Sequence, residues 1–250
     1  IDLSVPEFQR TVNSQYQQLR WIRALPDDAE LRVQFYRTYL SEIKNDNIAD
    51  QSFTSERYDL EVQHSFSAGE ATRVVWGASY RQDKSRSEYF VADAAPGHVA
   101  INRLFGNLEY HHSPDLIFNA GLMIEDNDLA GVDYLPRAGV NYHVTPFDTV
   151  RFSISRATRE PVLVEEYPDL GIFNWENDVQ PEYITAYELG YLTETRDKTI
   201  QADVKLFYEK ITGLINYETS SLTFNNFDDA IVRGIETQLT LRPSLRSRIH

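Results

Sequence analysis

The chain has 250 residues, a formal net charge of −14 and no cysteine. The missing cysteines exclude a disulfide framework and a thiolate metal site. The acidic balance argues against nucleic acid as a partner, because phosphate binding needs a basic surface. No stretch approaches the roughly 18 consecutive apolar residues of a transmembrane helix. A membrane β-barrel stays open, because each of its strands needs only about 9–11 residues of alternating character.

The dominant period of the sequence is two, which predicts β-strands rather than helices. In residues 58–66, for example, Leu60 and Val62 share one face, whereas Glu61 and Gln63 share the other. Most segments of this kind exceed the five or six residues usual for soluble strands, as tilted membrane strands require. The alternation predicts eleven strands, near residues 12–24, 30–43, 54–66, 72–83, 100–111, 115–125, 133–144, 149–156, 183–193, 199–213 and 227–242.

The links between these strands are predicted to alternate between short and long. Every second link of an antiparallel barrel lies on the same rim, so the alternation predicts one rim of turns and one of loops, as in outer-membrane barrels. Short links are expected near 25–29, 67–71, 112–115, 145–148 and 194–198, with a sixth after Pro243. Long links are expected near 44–53, 84–99, 126–132, 157–182 and 217–226.

The alternation has two interpretations that the pattern alone does not separate. In a soluble barrel the apolar face points inward, whereas in a membrane barrel it meets lipid and the polar face lines the lumen. Aromatic residues near strand ends favour the membrane barrel, namely Tyr36, Tyr39, Tyr58, Phe66, Tyr80, Tyr110, Tyr142, Phe152, Tyr183 and Tyr191. Bulky charges on the polar face suit a wet lumen or a polar plug, namely Glu61, Arg81, Glu109, Arg151, Glu188 and Glu236.

The second half of the chain resembles, in the order and spacing of four elements, the C-terminal half of TonB-dependent receptor barrels. The second element, 150–161, ends in an Arg-Ala-x-Arg-x-Pro motif that is similar to the family's. The stretches 60–64 and 75–81 look similar to the family's upstream strands. The four elements are 135–142 with the turn Thr145-Pro146, then 150–161, then 179–182 with 187–191, and last 206–215 with 233–236.

The resemblance implies an all-β, antiparallel transmembrane β-barrel, of which residues 1–250 supply about eleven of 22 strands as a partial barrel domain. We identify neither the family's plug domain nor its TonB-contacting segment in these residues, so a fragment of the barrel is expected. A run of strands with two unpaired edges should form an open, curved sheet or a smaller closed barrel. Expressed alone, it should aggregate or pair edge to edge, because open edges are costly in lipid.

The resemblance also implies a function: a receptor in the bacterial outer membrane that takes up a scarce ligand, such as a ferric siderophore, with TonB-supplied energy. The implied partners are the TonB complex, the receptor's own plug domain, the ligand and outer-membrane lipid. The sequence has no Gly-rich phosphate loop, nucleophile elbow or metal-ligand spacing, so we expect no enzyme, cofactor or metal site. Two alternatives stay open: a passive porin-like channel, which needs no plug, and a soluble β-rich binding module, which needs no detergent.

The longest predicted link, 157–182, is the candidate ligand-capturing loop, because its aromatic residues can stack on a ligand and its charges can orient one. Its seven acidic residues fit an anionic ferric complex poorly, which makes Arg156 and Arg159 the better anchors. The alternative is a solvated acidic loop whose two arginines fix the barrel wall or contact the plug. The candidate ligand-binding residues are Arg156, Arg159, Tyr167, Phe173 and Trp175.

Overall fold

A computed structural model describes residues 9–45, 52–87, 95, 97–167, 178–220, 223–244 and 247–249. They form one antiparallel sheet in which every strand pairs with its neighbours in sequence, and the first and last strands do not pair with each other. The eleven antiparallel strands that the sequence predicts are confirmed, and a three-residue strand follows them. Of the two forms expected, an open sheet or a smaller closed barrel, the structure shows the open sheet. The strands are β1 (Gln9–Ala24), β2 (Glu30–Asn45), β3 (Phe53–Ser67), β4 (Thr72–Arg86), β5 (Val99–Ser113), β6 (Leu116–Asn127), β7 (Gly131–Thr145), β8 (Asp148–Arg159), β9 (Glu182–Glu194), β10 (Ile200–Glu218), β11 (Thr223–Ser244) and β12 (Ser247–Ile249).

One face of the sheet, here called the apolar face, is exposed along its length. The register places Phe35, Leu60 and Tyr80 in one row across β2, β3 and β4. Leu60 and Tyr80 are each 45% exposed, and Ile235 on β11 is 67% exposed. A soluble sheet buries such a face, whereas a barrel wall turns it to lipid. Among the described residues, only five hydrophobic side chains are buried, namely Val99, Ile101, Leu135, Leu163 and Val179.

The opposite face, here called the polar face, carries the charged side chains. Because side chains alternate along a strand, the same register that aligns Leu60 with Tyr80 places Asp59 beside Arg81 on the other side. Two glycines on this face lie beneath aromatic rings. A Cβ on Gly77 would stand 2.5 Å from Cζ of Phe105, and one on Gly234 would stand 2.9 Å from Cζ of Phe207. Glycine therefore leaves room for each ring to lie flat over the neighbouring strand.

The predicted sorting of link lengths is only partly correct. The short links fall where they are expected, and the links 87–98 and 160–181 are long. The predicted long links 126–132 and 217–226 are wrong, because the strands continue past their apolar segments and leave only 128–130 and 219–222 between them. Backbone pairing does not require apolar side chains, so polar residues such as Asn225 and Asn226 join the β10–β11 ladder. The sixth short link, after Pro243, includes residues 245–246, which lie outside the described residues.

One helix occurs within the described ranges, the single-turn α1 (Leu163–Glu166) that follows β8. Its first turn is fixed by the backbone N–H of Val162, which donates to Oε2 of Glu165 at 3.0 Å. In the described part of the chain, no helix is long and apolar enough to cross a membrane.

Candidate functional site

A cavity of about 610 Å³ opens on the polar face near the rim that carries the long links, and we call it the outer-rim cavity. Strands β3 to β8 and the segment after β8 line it, so residues from several hairpins meet there. Its wall contains both apolar and charged side chains, as is typical of a pocket that holds an organic ligand and orients it by a few polar groups. Its lining includes three arginines and several apolar residues, among them Arg57, Arg81, Arg103, Ile101, Leu135 and Leu163.

The outer-rim cavity is partly covered by the start of the predicted capture loop. After β8 the chain turns back over the sheet, and Leu163 of α1 packs on Val99 and Ile101 of β5. These three side chains are 8%, 5% and 5% exposed, and Leu129 and Tyr167 pack against them. The first residues of the link, 160–167, are therefore anchored over the polar face by a small cluster of buried hydrophobic side chains.

Three arginines of adjacent strands give the outer-rim cavity its charge. Nε of Arg57 lies 2.7 Å from Oδ1 of Asp83, and Nε of Arg81 donates to Oδ2 of the same carboxylate at 2.9 Å. Arg103 pairs with Glu125, whose side chain is only 6% exposed. Because two arginines share one carboxylate, these five residues carry an excess of one positive charge on the cavity wall. Asp59, which lies beside Arg81 in the register, does not line the cavity.

A further carboxyl group borders the outer-rim cavity, and it offsets this positive excess once it ionises. Glu160 is the first residue after β8. Burial, reinforced by the neighbouring carboxyl groups of Asp133 and Glu125, raises the pKa of Glu160 to about 7. The cavity thus favours an anionic or partly anionic ligand below this pH.

The two arginines predicted from the sequence both have partners within the protein. The guanidinium of Arg156 lies 4.2 Å from the ring centre of Tyr183. Arg159 joins the two ends of the loop, with Nη1 3.0 Å from Oε2 of Glu165 and Nη2 2.6 Å from Oε1 of Glu182. The structure thus brings Arg159 to the base of the loop and leaves Arg156 at the outer end of β8.

The structure describes one of the three predicted aromatic residues. Tyr167 belongs to the cluster that covers the outer-rim cavity. Phe173 and Trp175 lie outside the described residues. Of the sequence candidates, Tyr167 is therefore the one that the structure places at the hydrophobic edge of the cavity.

The end of the loop is fastened by Asn226 of β11. The backbone N–H of Gln180 donates to Oδ1 of Asn226 at 2.7 Å, and Nδ2 of Asn226 donates to the carbonyl oxygens of Gln180 and Gly213 at 2.8 and 2.7 Å. Gly213 sits at a bulge of β10 with φ of +69°, a conformation that favours glycine. Both ends of the loop are thus held by specific contacts.

Sequence reasoning misses Arg57 and Arg103 as site residues. They lie on β3 and β5, on either side of β4, and only the register of these three strands brings them to one cavity. The available signal is their period-two position on the polar face, beside Arg81, which the pattern already assigns to that face.

A second cavity of about 910 Å³ lies on the polar face between β5 and β11, and we call it the mid-wall cavity. Its charges are paired across strands. Nη2 of Arg151 lies 2.6 Å from Oδ1 of Asp203, and Nζ of Lys205 lies 3.1 Å from Glu188 and 2.8 Å from Glu236. Together with Arg137, which also lines the cavity, the three cationic groups balance the three carboxylates.

Glycine allows the cross-strand pairing in the mid-wall cavity. Arg151 of β8 reaches Asp203 of β10 across β9, where a Cβ on Gly190 would stand 3.2 Å from Nε of Arg151. Arg137 of β7 likewise crosses β6 at Gly121 and donates to Oδ1 of Asn107 at 2.9 Å. No cluster of three or more His, Cys, Asp or Glu side chains suited to a metal ion occurs in the part of the chain that the structure describes.

Comparison with known proteins identifies the sheet. The family model described as "TonB dependent receptor-like, beta-barrel" matches residues 5–248. The hemophilin receptor of Acinetobacter baumannii is 28% identical over 110 residues, which cover 42% of this chain and 10% of that protein.

Solved structures show the same fold at low sequence identity. The siderophore receptor PirA of Pseudomonas aeruginosa superimposes with a TM-score of 0.78 at 16% identity, covering 94% of this chain and 46% of that one. The FrpB iron transporter of Neisseria meningitidis (F3-3 variant) gives 0.79 at 14% identity, covering 94% and 42%. The ferric enterobactin receptor PfeA of P. aeruginosa gives 0.75 at 17% identity, also covering 94% and 42%.

The chain spans less than half the length of these solved structures. Nearly all of this chain matches less than half of each solved structure, so the chain corresponds to part of a barrel. This accounts for the open sheet. Proteins of this family lie in the bacterial outer membrane and are transporters rather than enzymes. The chain belongs to the TonB-dependent receptor family and supplies part of its β-barrel wall.

Proposed function

We propose that the receptor of which this chain forms part takes up a scarce ligand, such as a ferric siderophore, across the outer membrane with energy supplied through TonB. Its partners would be the TonB complex, its own plug domain, the ligand and outer-membrane lipid. In this proposal the apolar face meets lipid, the mid-wall cavity faces the plug, and the outer-rim cavity receives the ligand.

The outer-rim cavity is the observation that carries the proposal. It combines a buried apolar cluster with an excess of arginine, which suits a ligand that has aromatic or aliphatic parts and negative charge. The relatives named as siderophore and ferric enterobactin receptors support such a ligand class. Guanidinium groups can also hold carboxylate or catecholate oxygens in pairs, which an ammonium group does less well.

The capture loop supplies the remaining proposed ligand contacts. Tyr167, Phe173 and Trp175 would stack on the ligand after it enters the cavity. Arg156 and Arg159 would contact it only by exchanging partners, because Arg156 lies on Tyr183 and Arg159 bridges Glu165 and Glu182. We therefore propose that these two arginines set the loop's position and that Arg57, Arg81 and Arg103 supply most of the charge that the ligand meets.

A second ligand is supported by a separate observation. A protein that is 28% identical to this chain over 110 residues is named a hemophilin receptor. Hemophilin is therefore the second probe, and ferric enterobactin is the first.

Transport by cells tests the proposal directly. The intact receptor is expressed in cells that lack it, and uptake of iron-55 is measured from labelled ferric enterobactin, while growth under iron limitation is measured with hemophilin as iron source. We expect uptake from one probe, and we expect it to disappear when TonB is deleted. Uptake that persists without TonB would indicate a passive channel, and failure of both probes would contradict the proposed ligand class.

A further inference from the structure

The line of backbone pairing between β7 and β8, here called the β7–β8 seam, is complete at its inner end but not at its outer end. β7 pairs with β6 from Gly131 to Tyr142, but with β8 only from Arg137 to Thr145. The outer residues of β8, 156–159, pair with β9. Pro136 is the first residue of β7 beyond the ladder, and it has no N–H to donate. Residues 131–136 thus lack a backbone partner on the β8 side within the described chain.

A side chain from the strand beyond bridges the open seam. Tyr183 of β9 reaches past β8, and its hydroxyl donates to Oδ1 of Asp133 on β7 at 2.6 Å. The guanidinium of Arg156 covers the tyrosine ring and fixes its direction. One hydrogen bond therefore stands where several backbone hydrogen bonds would otherwise close the wall.

Beside this bridge lie two carboxyl groups with buried, unpaired oxygens. Asp133 is 8% exposed, and its Oδ2 has no hydrogen-bond donor within the described residues. Both carboxyl oxygens of Glu160 are also buried without a donor there. A buried carboxylate oxygen without a donor is costly, so each group needs a cation or a proton.

The neighbouring charges do not neutralise the pair. Arg103 is committed to Glu125, which is itself 4% exposed and repels Glu160. Arg156 lies on the ring of Tyr183, and Arg159 is held between Glu165 and Glu182. In the described part of the seam, therefore, no cation forms an ion pair with Asp133 or Glu160.

We propose that Asp133 and Glu160 bind one proton between them, and that this shared proton holds the segment after β8 against the outer end of β7. The proton comes from solvent and forms the missing hydrogen bond between the two groups. When it leaves, two like charges face each other in a buried site, and the segment after β8 moves away from β7. The raised pKa of Glu160, about 7, agrees with this arrangement.

Distance measurement across the seam tests the proposal without any ligand. These 250 residues contain no cysteine, and Val132 and Val162 are 55% and 51% exposed. Spin labels can therefore be placed through Val132→Cys and Val162→Cys, with any cysteine elsewhere in the receptor replaced by serine. In the intact receptor, we expect one short label distance at about pH 5 and a growing longer population toward about pH 9, with half-change near pH 7. Because the assay contains no ligand, failure of the transport proposal leaves its result unaffected.

Two variants identify the responsible groups. Glu160→Gln cannot ionise and keeps a donor for Asp133, so the short distance should persist at high pH. Asp133→Asn should do the same, because a single carboxylate then remains, and it provides an independent result if the first variant fails to fold. Glu70→Gln removes one carboxylate from an exposed turn on the opposite rim and should open like the wild type. A wild-type distance independent of pH, or a folded Glu160→Gln or Asp133→Asn protein that still opens, would overturn the proposal.

Discussion

The outer-rim and mid-wall cavities lie on the same face of one sheet, yet their charges are arranged differently. In the mid-wall cavity, Arg151 and Lys205 reach across strands to acidic partners, and about two fifths of the Arg151 side chain stays exposed. In the outer-rim cavity, Arg57 and Arg81 share a single carboxylate, and Glu125 is almost fully buried. Paired charges stabilise a wall that faces water. An arginine that shares its carboxylate, beside apolar side chains, can still bind an anionic group of a ligand.

This difference divides the wall into a structural zone and a zone for recognition. The mid-wall pairs join strands β8 to β11 and, with Arg137, offer a neutral surface. The outer-rim cavity has a buried apolar cluster that brings the start of the loop over it. The two zones are therefore expected to differ in the energetic cost of substitutions and in ligand binding.

The largest expected effect distinguishes a buried ion pair from an exposed one. Arg103→Met leaves Glu125 without its partner at 6% side-chain exposure, and should lower the free energy of unfolding by about 3–5 kcal/mol. Arg151→Met breaks a pair whose side chains are 40% and 34% exposed, and should cost about 0–1 kcal/mol. Urea unfolding of the intact receptor in lipid vesicles measures both values.

The double variant Arg103→Met/Glu125→Leu provides the control for this comparison. It removes the stranded charge, so most of the lost stability should return. Equal costs for Arg103→Met and Arg151→Met would contradict the distinction between the two zones.

A smaller effect is expected at Gly77 of β4, which lies under Phe105 of β5. Phe105 stands between Arg103 of the outer-rim cavity and Asn107 of the mid-wall cavity. A Cβ on Gly77 would stand 2.5 Å from both Cζ of Phe105 and the carbonyl oxygen of Val62, so Gly77→Ala should cost about 1–3 kcal/mol through overpacking. Gly106→Ala is the matched control, because its Cβ meets nothing within 4 Å, and it should change stability by less than about 0.5 kcal/mol. Equal unfolding midpoints for the two variants would contradict the close approach at Gly77.

Gly190→Ala should have a still smaller effect, confined to the mid-wall cavity. The new Cβ would lie 3.2 Å from Nε and Nη2 of Arg151 and displace it from Asp203, at a cost below about 1 kcal/mol. In the Arg151→Met background the same substitution should cost less, because the side chain that it displaces is gone. A double-mutant cycle of unfolding free energies measures this coupling, and strict additivity would contradict the crossing role of Gly190.

The smallest effect is expected at Asp197, in a turn of the opposite rim that belongs to neither cavity. The hydroxyl groups of Thr195 and Thr199 lower the pKa of Asp197 below its ordinary value of 3.8. A depressed carboxyl pKa adds stability above the ordinary value and loses it as the pH falls through the folded one. Melting temperatures of the wild type and Asp197→Asn should therefore differ slightly at neutral pH and converge in acid. A difference that grows in acid would reverse the assigned sign.

The strands and their faces could be predicted from the sequence because both depend on local alternation. The pattern around Leu60 predicts β3 and its apolar face, and the motif that includes Arg159 predicts the family. The ends of β6 and β7 could not be predicted, because polar residues such as Asp126 extend the ladder as well as apolar ones do.

The candidate site was only partly predictable, for a different reason. Arg57, Arg81 and Arg103 meet through the register of three strands, which is a long-range property of the sheet. The packing of Leu163 on Ile101 depends on the path of a link, and alternation carries no information about a link. The ligand-binding roles of Arg156, Arg159, Tyr167, Phe173 and Trp175 stay predictions.

Ligand binding by paired variants of the intact receptor tests the central claim most directly. The probe is ferric enterobactin or hemophilin, whichever the transport assay shows to be taken up. We predict that Arg57→Gln/Arg81→Gln weakens binding at least about tenfold, equivalent to about 1.4 kcal/mol, because it removes the cavity's excess charge. Arg151→Gln should leave the dissociation constant unchanged. Equal effects of the two changes, or an effect of Arg151→Gln alone, would contradict the assignment of recognition to the outer-rim cavity.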